Sequence, residues 1–238
     1  MEISIVIPVL NEQGSMNALY HALTATLDSA NVQDYEIIFV DDGSRDGTFS
    51  VLETLHTQDK RVKVIQFRRN FGKSAALSAG FAEAQGVFVF TLDGDLQDDP
   101  TEIPRFLAKM HEGFDLVSGW KYPRHDPLSK TLPSKFFNFV VRLTTGVKLH
   151  DFNCGFKAYR REVVQELRLY GELHRYTPIL AYQKGFRVSE IKVTHHPRKF
   201  GRSKYGFRRF ARGFFDLLTV LFLGAYTWRP LHLFGWAG

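Results

Sequence analysis

The stretch VFVFTLDGDLQDDP, residues 87–100, decides the fold class. Its first six residues are β-branched or aromatic enough to form a buried strand. The acidic residues that follow therefore lie where a strand leaves a sheet. If the chain stays extended there, the two-residue period places Asp93, Asp95 and Gln97 on one side. Three oxygen-bearing side chains would then converge on one point.

Carboxylate and amide oxygens suit a hard divalent cation such as Mg²⁺ or Mn²⁺. Proteins commonly hold such an ion through one or two carboxylates together with substrate phosphates. We therefore interpret Asp93, Asp95 and Gln97 as a metal and phosphate site, with helix capping as the alternative. For Asp98 and Asp99 we expect the capping role, because a helix follows them.

Strands and helices alternate along the first hundred residues. Apolar runs predict strands at residues 3–8, 36–40, 62–67 and 87–92. Helical spacing of apolar residues predicts helices at residues 15–30, 46–56 and 73–84. This alternation calls for an α/β fold with a doubly wound, mostly parallel sheet that has helices on both faces.

Ligands bind such sheets outside the carboxyl ends of the strands. Four polar clusters fall at those ends: Asn11-Glu12, Asp41-Asp42, Arg68-Asn70 and Asp93-Asp95. The glycine-rich phosphate loops G-x-G-x-x-G and G-x-x-x-x-G-K-[ST] are missing. A bound nucleotide would therefore have its diphosphate neutralised by a metal, which favours the metal interpretation of the acidic stretch.

Charge divides the chain in two. Residues 1–100 carry 7 Lys and Arg against 15 Asp and Glu, whereas residues 101–238 carry 24 against 10. The first half suits a cation, and the second half suits an anion or an anionic surface. The single cysteine, Cys154, excludes an intramolecular disulfide and fits a reducing compartment.

The ends of the chain bear on membrane attachment. The first apolar run lacks a basic lead and contains Pro8, so no signal peptide is predicted. The sequence has no run of 18 apolar residues, and therefore no predicted spanning helix. Because residues 231–238 stop in the middle of an apolar trend, we expect the chain to be truncated before a membrane segment.

A resemblance to a known family becomes specific at four motifs. IPVLNE (7–12), VDDGSRDGT (40–48), RNFGK (69–73) and DGDLQDDP (93–100) occur in the order seen in family 2 glycosyltransferases. The chain most resembles the polyprenyl-phosphate sugar transferases within that family. The resemblance implies a GT-A type catalytic domain at residues 1–204, a nucleotide-diphosphate sugar donor, a polyprenyl phosphate acceptor and a Mg²⁺ or Mn²⁺ cofactor.

The resemblance also implies roles for single residues. In the nucleotide pocket it places Pro8, Asn11, Glu12 and Lys73, with Asp41 on the base; for Asp41 a turn role is the alternative. It gives Asp93 contacts with the ribose and with the water shell of the metal. Asp95 and Gln97 would ligate the metal itself.

The second half of the chain carries the candidates for acceptor binding. Residues 115–120 and 187–194 are predicted strands. The family pattern R-x-x-G-x-S-K fits Arg198 to Lys204, which implies a loop closing over the phosphates. We assign Lys121, Arg124 and Arg202 to the lipid phosphate.

Two further segments have open alternatives. Asp151 could position the acceptor or act as a base, but a phosphate acceptor is already ionised at neutral pH and needs no base. Residues 205–223 predict a basic, aromatic amphipathic helix. This helix would lie on an anionic membrane surface or pack on the catalytic domain, and we assign residues 205–238 to the membrane interface.

These observations predict an inverting, metal-dependent sugar transferase on the cytoplasmic face of the membrane. Our best expectation for the donor is UDP-glucose and for the acceptor undecaprenyl phosphate. A saccharide acceptor is the alternative within the same fold. A basic nucleic-acid-binding protein would leave the acidic strand ends unexplained, so we expect no nucleic acid partner. The sequence is compatible with a homo-oligomer.

Overall fold

The computed structural model describes residues 1–122, 138, 140–197, 216, 218–220 and 222. Its first half runs β1 (Ile3–Val9), α1 (Met16–Ser29), β2 (Tyr35–Asp41), α2 (Thr48–Gln58), β3 (Val62–Gln66), α3 (Lys73–Glu83) and β4 (Phe88–Thr91). All of these lie where the sequence predicts them, with ends shifted by at most two residues. The apolar periodicities of the sequence are therefore strong enough to define this half.

The second half is more irregular. It runs through a short 3-10 helix (Pro100–Glu102), α4 (Ile103–His111), β5 (Leu116–Lys121), a helical segment α5 (residues 140–145), β6 (Lys157–Arg160) and α6 (Arg161–Glu166). A second 3-10 helix (Leu173–Arg175), α7 (Thr177–Gln183) and β7 (Val188–Val193) follow. The sequence predicts β5 and β7 but not β6, α6 or α7.

The seven strands form one sheet in the order β3-β2-β1-β4-β6-β5-β7. The pairs within β3-β2-β1-β4 are parallel, and β5 pairs with β7 in parallel. β6 runs antiparallel to both of its neighbours. The predicted mostly parallel, doubly wound α/β sheet is thus confirmed, with one reversed strand in its middle.

Alternating side chains of each strand pack on opposite faces of this sheet. On one face, Ile5 of β1 and Phe39 of β2 join a core closed by α1, α2 and α4. On the other face, Val6 and Val40 pack against α3, α6 and α7. Because both faces are covered, the strands are almost continuously apolar.

The strand order reverses at β1, which lies between β2 and β4. Such a switch point leaves a crevice at the carboxyl ends of the strands, where ligands bind. The antiparallel direction of β6 brings its first residue, Lys157, to that same edge, opposite Thr91 of β4. Lys121 lies at the end of β5 on this edge as well.

In the part of the chain that the structure describes, no helix is both long and apolar enough to cross a membrane. The predicted amphipathic appendage at residues 205–238 lies almost wholly outside the described residues.

Candidate active site

The acidic stretch after β4 folds as a turn. β4 ends at Thr91, residues 94 and 95 form a turn, and Leu96 adopts a left-handed conformation with φ of 59°. The expectation that the chain stays extended through Gln97 is therefore wrong. The backbone N–H of Gln97 donates to Asp95 Oδ1 at 3.2 Å, a local hydrogen bond that favours a turn over a strand.

Neighbouring elements hold this turn in place. The hydroxyl of Ser15, at the start of α1, donates to the carbonyl of Gly94 at 2.7 Å. At the other end of the turn, the backbone N–H of His196 donates to the carbonyl of Gln97 at 2.8 Å. The Gln97 side-chain amide in turn donates to the carbonyl of His196 at 3.3 Å. The acidic turn is thus fixed between α1 and the segment that follows β7.

Asp93 forms an ion pair with Lys73, the first residue of α3. The enclosed position of Asp93 opposes its ionisation, but the ammonium groups of Lys73 and Lys121 outweigh that effect and hold its pKa well below the ordinary value. A Cβ at Gly155 would lie 2.7 Å from Asp93 Oδ2, so a larger residue there would displace this carboxylate. Asp93 is therefore ionised and closely packed.

Asp98 does not cap the next helix, contrary to the expectation from sequence. Its side chain is buried, with Oδ1 3.6 Å from Lys121 Nζ and 3.8 Å from His195 Nδ1. Burial opposes ionisation of Asp98, but Lys121 and His195 keep its pKa below the ordinary value. Asp99 does cap, because it accepts the N–H of Thr101 at 3.0 Å. Asp98 therefore belongs to the site and Asp99 to the following 3-10 helix.

The predicted nucleotide-binding residues lie at the ends of β1 and β2. Asp41 is buried, and its Oδ1 accepts the N–H of Ser44 at 3.0 Å. Its Oδ2 has no hydrogen-bond partner within the described residues. Leaving a buried acceptor unpaired is costly, and a donor from a bound base would remove that cost.

Asn11 and Glu12 join the loop after β1 to the loop after β2. The side-chain oxygen of Asn11 accepts the N–H of Arg45 at 2.8 Å, and the N–H of Glu12 donates to the hydroxyl of Thr48 at 2.9 Å. Pro8 lies within β1 opposite Val40. These contacts give Asn11 and Glu12 a part in shaping the pocket.

Asp42 has a structural role. Its carboxylate accepts the N–H groups of Phe71 at 2.7 Å and Gly72 at 2.9 Å. The loop that leads to Lys73 is thereby fixed to the end of β2. The contact joins residues 29 and 30 positions apart, so local sequence patterns do not reveal it.

Lys157 is a site residue that the sequence analysis missed. Its side chain is buried, and its ammonium group donates to the carbonyl of Cys154. Burial, reinforced by Lys73, lowers the pKa of Lys157 to about 8 against the opposing effects of Asp151 and Asp93. Lys157 reaches the site because β6 is a strand that runs antiparallel to β4. The four residues of β6 do not reveal this pairing.

The segment before β6 also contributes Asp151 and Cys154. Asp151 is buried; its Oδ1 accepts the N–H of Asn153 at 2.9 Å, and its Oδ2 has no hydrogen-bond partner among the described residues. Burial raises the pKa of Cys154 to about 12, so this thiol stays protonated and is a poor nucleophile. Cys154 is thus a small buried residue of the core.

The donor set of this site fits a hard divalent cation. The described residues contain no group of three or more His, Cys, Asp and Glu side chains arranged to hold a metal unaided. A cation that is held partly by substrate phosphates needs fewer protein ligands. Asp95 is buried next to Gln97 in the same turn, and both carry oxygen donors. The turn can therefore supply the protein's share of such a shell.

The structure brings together five of the predicted residues at one edge: Asp93, Asp95, Gln97, Lys73 and Lys121. Arg124, Arg198, Arg202 and Lys204 lie outside the described residues. The acidic turn thus lies at the carboxyl edge of the seven-stranded mixed sheet, beside the switch point at β1. Comparison with known proteins gives the family.

The chain matches the family Glycosyl transferase family 2 over residues 4–168, and it belongs to that family. It is 38% identical to dodecaprenyl-phosphate galacturonate synthase of Rhizobium johnstonii over 243 residues, which cover 100% of this chain and 72% of the relative. It is 39% identical to undecaprenyl-phosphate 4-deoxy-4-formamido-L-arabinose transferase of Shewanella sediminis over 237 residues, 99% of this chain and 70% of the relative. The resemblance drawn from the four sequence motifs is confirmed.

Solved structures agree on the fold. Glucosyl-3-phosphoglycerate synthase of Mycobacterium tuberculosis, in complex with Mn²⁺, uridine diphosphate and glucosyl-3-phosphoglycerate, superposes with a TM-score of 0.71 at 20% identity. The match covers 94% of this chain and 79% of that one. The same enzyme with Mn²⁺ and UDP-glucose gives a TM-score of 0.70 at 20% identity. At this identity the likeness establishes the GT-A fold alone.

Proposed function

We propose that the protein transfers a sugar from a uridine diphosphate donor to a polyprenyl phosphate, with inversion at the anomeric carbon. The observation that carries this proposal is the set of charges at one sheet edge. Two lysines paired with acids, Lys73 with Asp93 and Lys121 with Asp98, lie there with the buried Lys157. Ammonium groups in this number suit a site that must hold a diphosphate and a phosphate together.

The residues assigned to the nucleotide fit the donor half of this reaction. Asp41 offers a buried acceptor to the base, and Asp95 and Gln97 would hold Mg²⁺ or Mn²⁺. When bound, the ion offsets the charge of the departing diphosphate. The loop that Asp42 anchors fixes the backbone before Lys73. The side chain of Lys73 can then turn from Asp93 to a phosphate oxygen.

The acceptor half needs orientation more than proton transfer. A phosphate oxygen of the lipid attacks the anomeric carbon, and the bond to the diphosphate oxygen breaks on the opposite side, its electron pair leaving with the nucleotide. The phosphate is already largely dianionic at neutral pH, so no general base is required. Lys121, with Arg124 and Arg202, is assigned to hold that phosphate.

The names of the two relatives bear on the sugar and the lipid. One is named for dodecaprenyl phosphate and galacturonate, the other for undecaprenyl phosphate and a formamido-arabinose. We therefore place a uronate or an amino-sugar derivative ahead of glucose as the transferred group. Both names support a polyprenyl phosphate acceptor and, with it, work at a membrane surface, for which we propose the cytoplasmic face and residues 205–238.

A direct assay tests the proposal. Purified protein in detergent with Mn²⁺ is given undecaprenyl phosphate and radiolabelled UDP-glucose, UDP-galacturonate or UDP-4-deoxy-4-formamido-L-arabinose. We expect label to enter the lipid fraction with one of these donors and to require the cation. Label in saccharide but not in lipid would reject the acceptor assignment.

A saccharide acceptor is the second candidate, and one observation favours it. The Oδ2 atom of Asp151 is buried without a hydrogen-bond partner in the described part of the chain, so it could accept a proton from a hydroxyl. In that case Asp151→Asn would lose activity. With a phosphate acceptor, Asp151→Asn would retain it.

A further inference from the structure

His174 lies beside the site without belonging to any of the motifs described above. It is the middle residue of the 3-10 helix Leu173–Arg175, whose Leu173 is buried in a core cluster that also contains Val141 and Ile179. The imidazole faces the first turn of α3, where its Nδ1 lies 3.0 Å from the hydroxyl of Ser74. Ser74 follows Lys73 directly, so His174 stands next to the ion pair of Lys73 and Asp93.

Two contacts join His174 to the hydroxyl of Ser74. The backbone N–H of His174 donates to Ser74 Oγ at 3.2 Å. The hydroxyl keeps its own proton and can donate it to Nδ1. A neutral imidazole that accepts at Nδ1 carries its proton on Nε2. The contact with Ser74 thus accommodates the tautomer that has an N–H at the far end of the ring.

Burial and the surrounding charges keep the His174 ring neutral. Burial is the main cause, and Lys73, Arg175 and Lys157 add to it, against the weaker opposing effect of Asp93; together they place the pKa of His174 well below its ordinary value. At neutral pH the ring is therefore a fixed, uncharged donor among ammonium groups. In the proposed function, those ammonium groups are assigned to the phosphate oxygens of the donor and the acceptor.

We propose that His174 Nε2–H donates to an oxygen of the donor sugar and contributes to the choice of that sugar, an inference that rests on the proposed function. The nucleoside is assigned to the ends of β1 and β2, and the diphosphate to the turn after β4. The sugar then extends toward β6 and the 3-10 helix, where Asp93, Lys157 and His174 influence one another electrostatically. A neutral donor suits a sugar hydroxyl or carboxylate and adds no further charge to the site.

Two substitutions separate this role from a structural one. His174→Asn keeps a polar atom near the position of Nδ1 and therefore the contact with Ser74, but it removes Nε2. His174→Gln keeps an N–H near the position of Nε2. Thermal unfolding establishes that both variants fold, and Arg161→Gln, on the opposite edge of the sheet, serves as the surface control.

Binding is measured by calorimetry on the full chain with Mn²⁺, using UDP and whichever of UDP-glucose and UDP-galacturonate the wild type binds more tightly. We expect His174→Asn to weaken binding of the UDP-sugar about three- to tenfold, the worth of one hydrogen bond, and to leave UDP binding unchanged. His174→Gln should bind both like the wild type. Equal effects of His174→Asn on UDP and UDP-sugar, or no effect on either, would overturn the inference.

This outcome is distinct from failure of the proposed function, which would appear as absence of lipid labelling by the wild type. Binding of the two nucleotides needs no acceptor, so the role of His174 is tested in either case. Where transfer occurs, the KM for undecaprenyl phosphate should be the same in His174→Asn and the wild type. A higher acceptor KM in His174→Asn would contradict a role confined to the donor sugar.

Discussion

Lys121 Nζ lies 3.6 Å from the buried Oδ1 of Asp98, and this pair joins the end of β5 to the acidic turn after β4. The two side chains are 14% and 1% exposed, so water screens their interaction poorly. Removing one partner of such a pair leaves a buried charge uncompensated. The pair therefore connects the stability of the fold to the geometry of the site.

Lys121→Met should lower the free energy of unfolding by about 3–5 kcal/mol, because Asp98 would lose its counter-charge. Adding Asp98→Asn to Lys121→Met should recover a large part of that loss. Urea unfolding of the wild type, both single variants and the double variant measures the coupling. Additive losses in the double variant would show that the two charges do not interact.

Asp95→Ala should lower the rate of sugar transfer at least about a hundredfold while leaving the fold intact, because it removes a carboxylate assigned to the cation. Asp99→Ala is the matched control in the same acidic stretch. It removes a cap and should cost about 1 kcal/mol of stability with little effect on turnover. Near-normal turnover in Asp95→Ala would reject the metal assignment.

Asp41→Asn should weaken UDP binding about tenfold or more, because the amide places an N–H₂ donor where the carboxylate has an unpaired acceptor. Asp42→Asn should instead lower the melting temperature, because Asp42 accepts two backbone N–H groups. Calorimetric titration with UDP and a melting curve for each variant make the comparison. Equal UDP affinities of Asp41→Asn and the wild type would exclude contact with the base.

Arg124→Ala and Arg202→Ala should each raise the KM for undecaprenyl phosphate severalfold, with a smaller change in the KM for the donor, if these side chains hold the lipid phosphate. Radiolabelled transfer at varied lipid concentration measures both constants. Arg105→Ala, on α4, is a control for loss of a surface arginine. Unchanged acceptor constants in both variants would reject the assignment.

Lys157 predicts a pH dependence of stability. Its pKa is about 8 in the folded protein and near 10.5 when unfolded, so between these values the unfolded chain binds more protons. Unfolding therefore becomes less favourable as pH rises through this window. The cost of burying the charge, of order 3 kcal/mol below pH 8, is relieved progressively above it.

The contribution of Lys157 is measured as the difference between the wild type and Lys157→Met in urea unfolding at pH 7.5 to 9.5. Cys154 acts in the opposite direction, because burial raises its pKa to about 12 and the unfolded thiol ionises first. Both proteins contain Cys154, so most of its effect cancels in the difference between their free energies of unfolding. Parallel curves for the wild type and Lys157→Met would show that the ammonium group does not titrate in this range.

The sequence predicts the fold of residues 1–100 well and the fold of residues 101–238 less well. Met16, Leu19, Leu23 and Leu27 repeat with the helical period, so α1 could be located within a residue or two. β6 has four residues, of which the first is a buried lysine, and its antiparallel pairing is a long-range property. Local periodicity carries no information about such a pairing.

The same distinction applies to the site. The acidic stretch was recognisable from its residues, but the left-handed conformation of Leu96 was not, because leucine rarely adopts it. The turn that contains Leu96 leads directly to Asp98, whose side chain is buried in the site. His174 lies in a single turn of 3-10 helix, and only its contact with Ser74, 100 positions away, gives it a place near the site.

The reversed strand β6 divides the sheet at the pairing of β4 with β6. One side, β3-β2-β1-β4, is continuous in sequence and carries the excess of acidic residues; the other side is built from the basic remainder. The two sides are nevertheless joined by more than this pairing, because α3 and α6 share one core and the acidic turn contacts Lys121 and His196. Substitutions on the second side therefore bear directly on the geometry of the acidic turn.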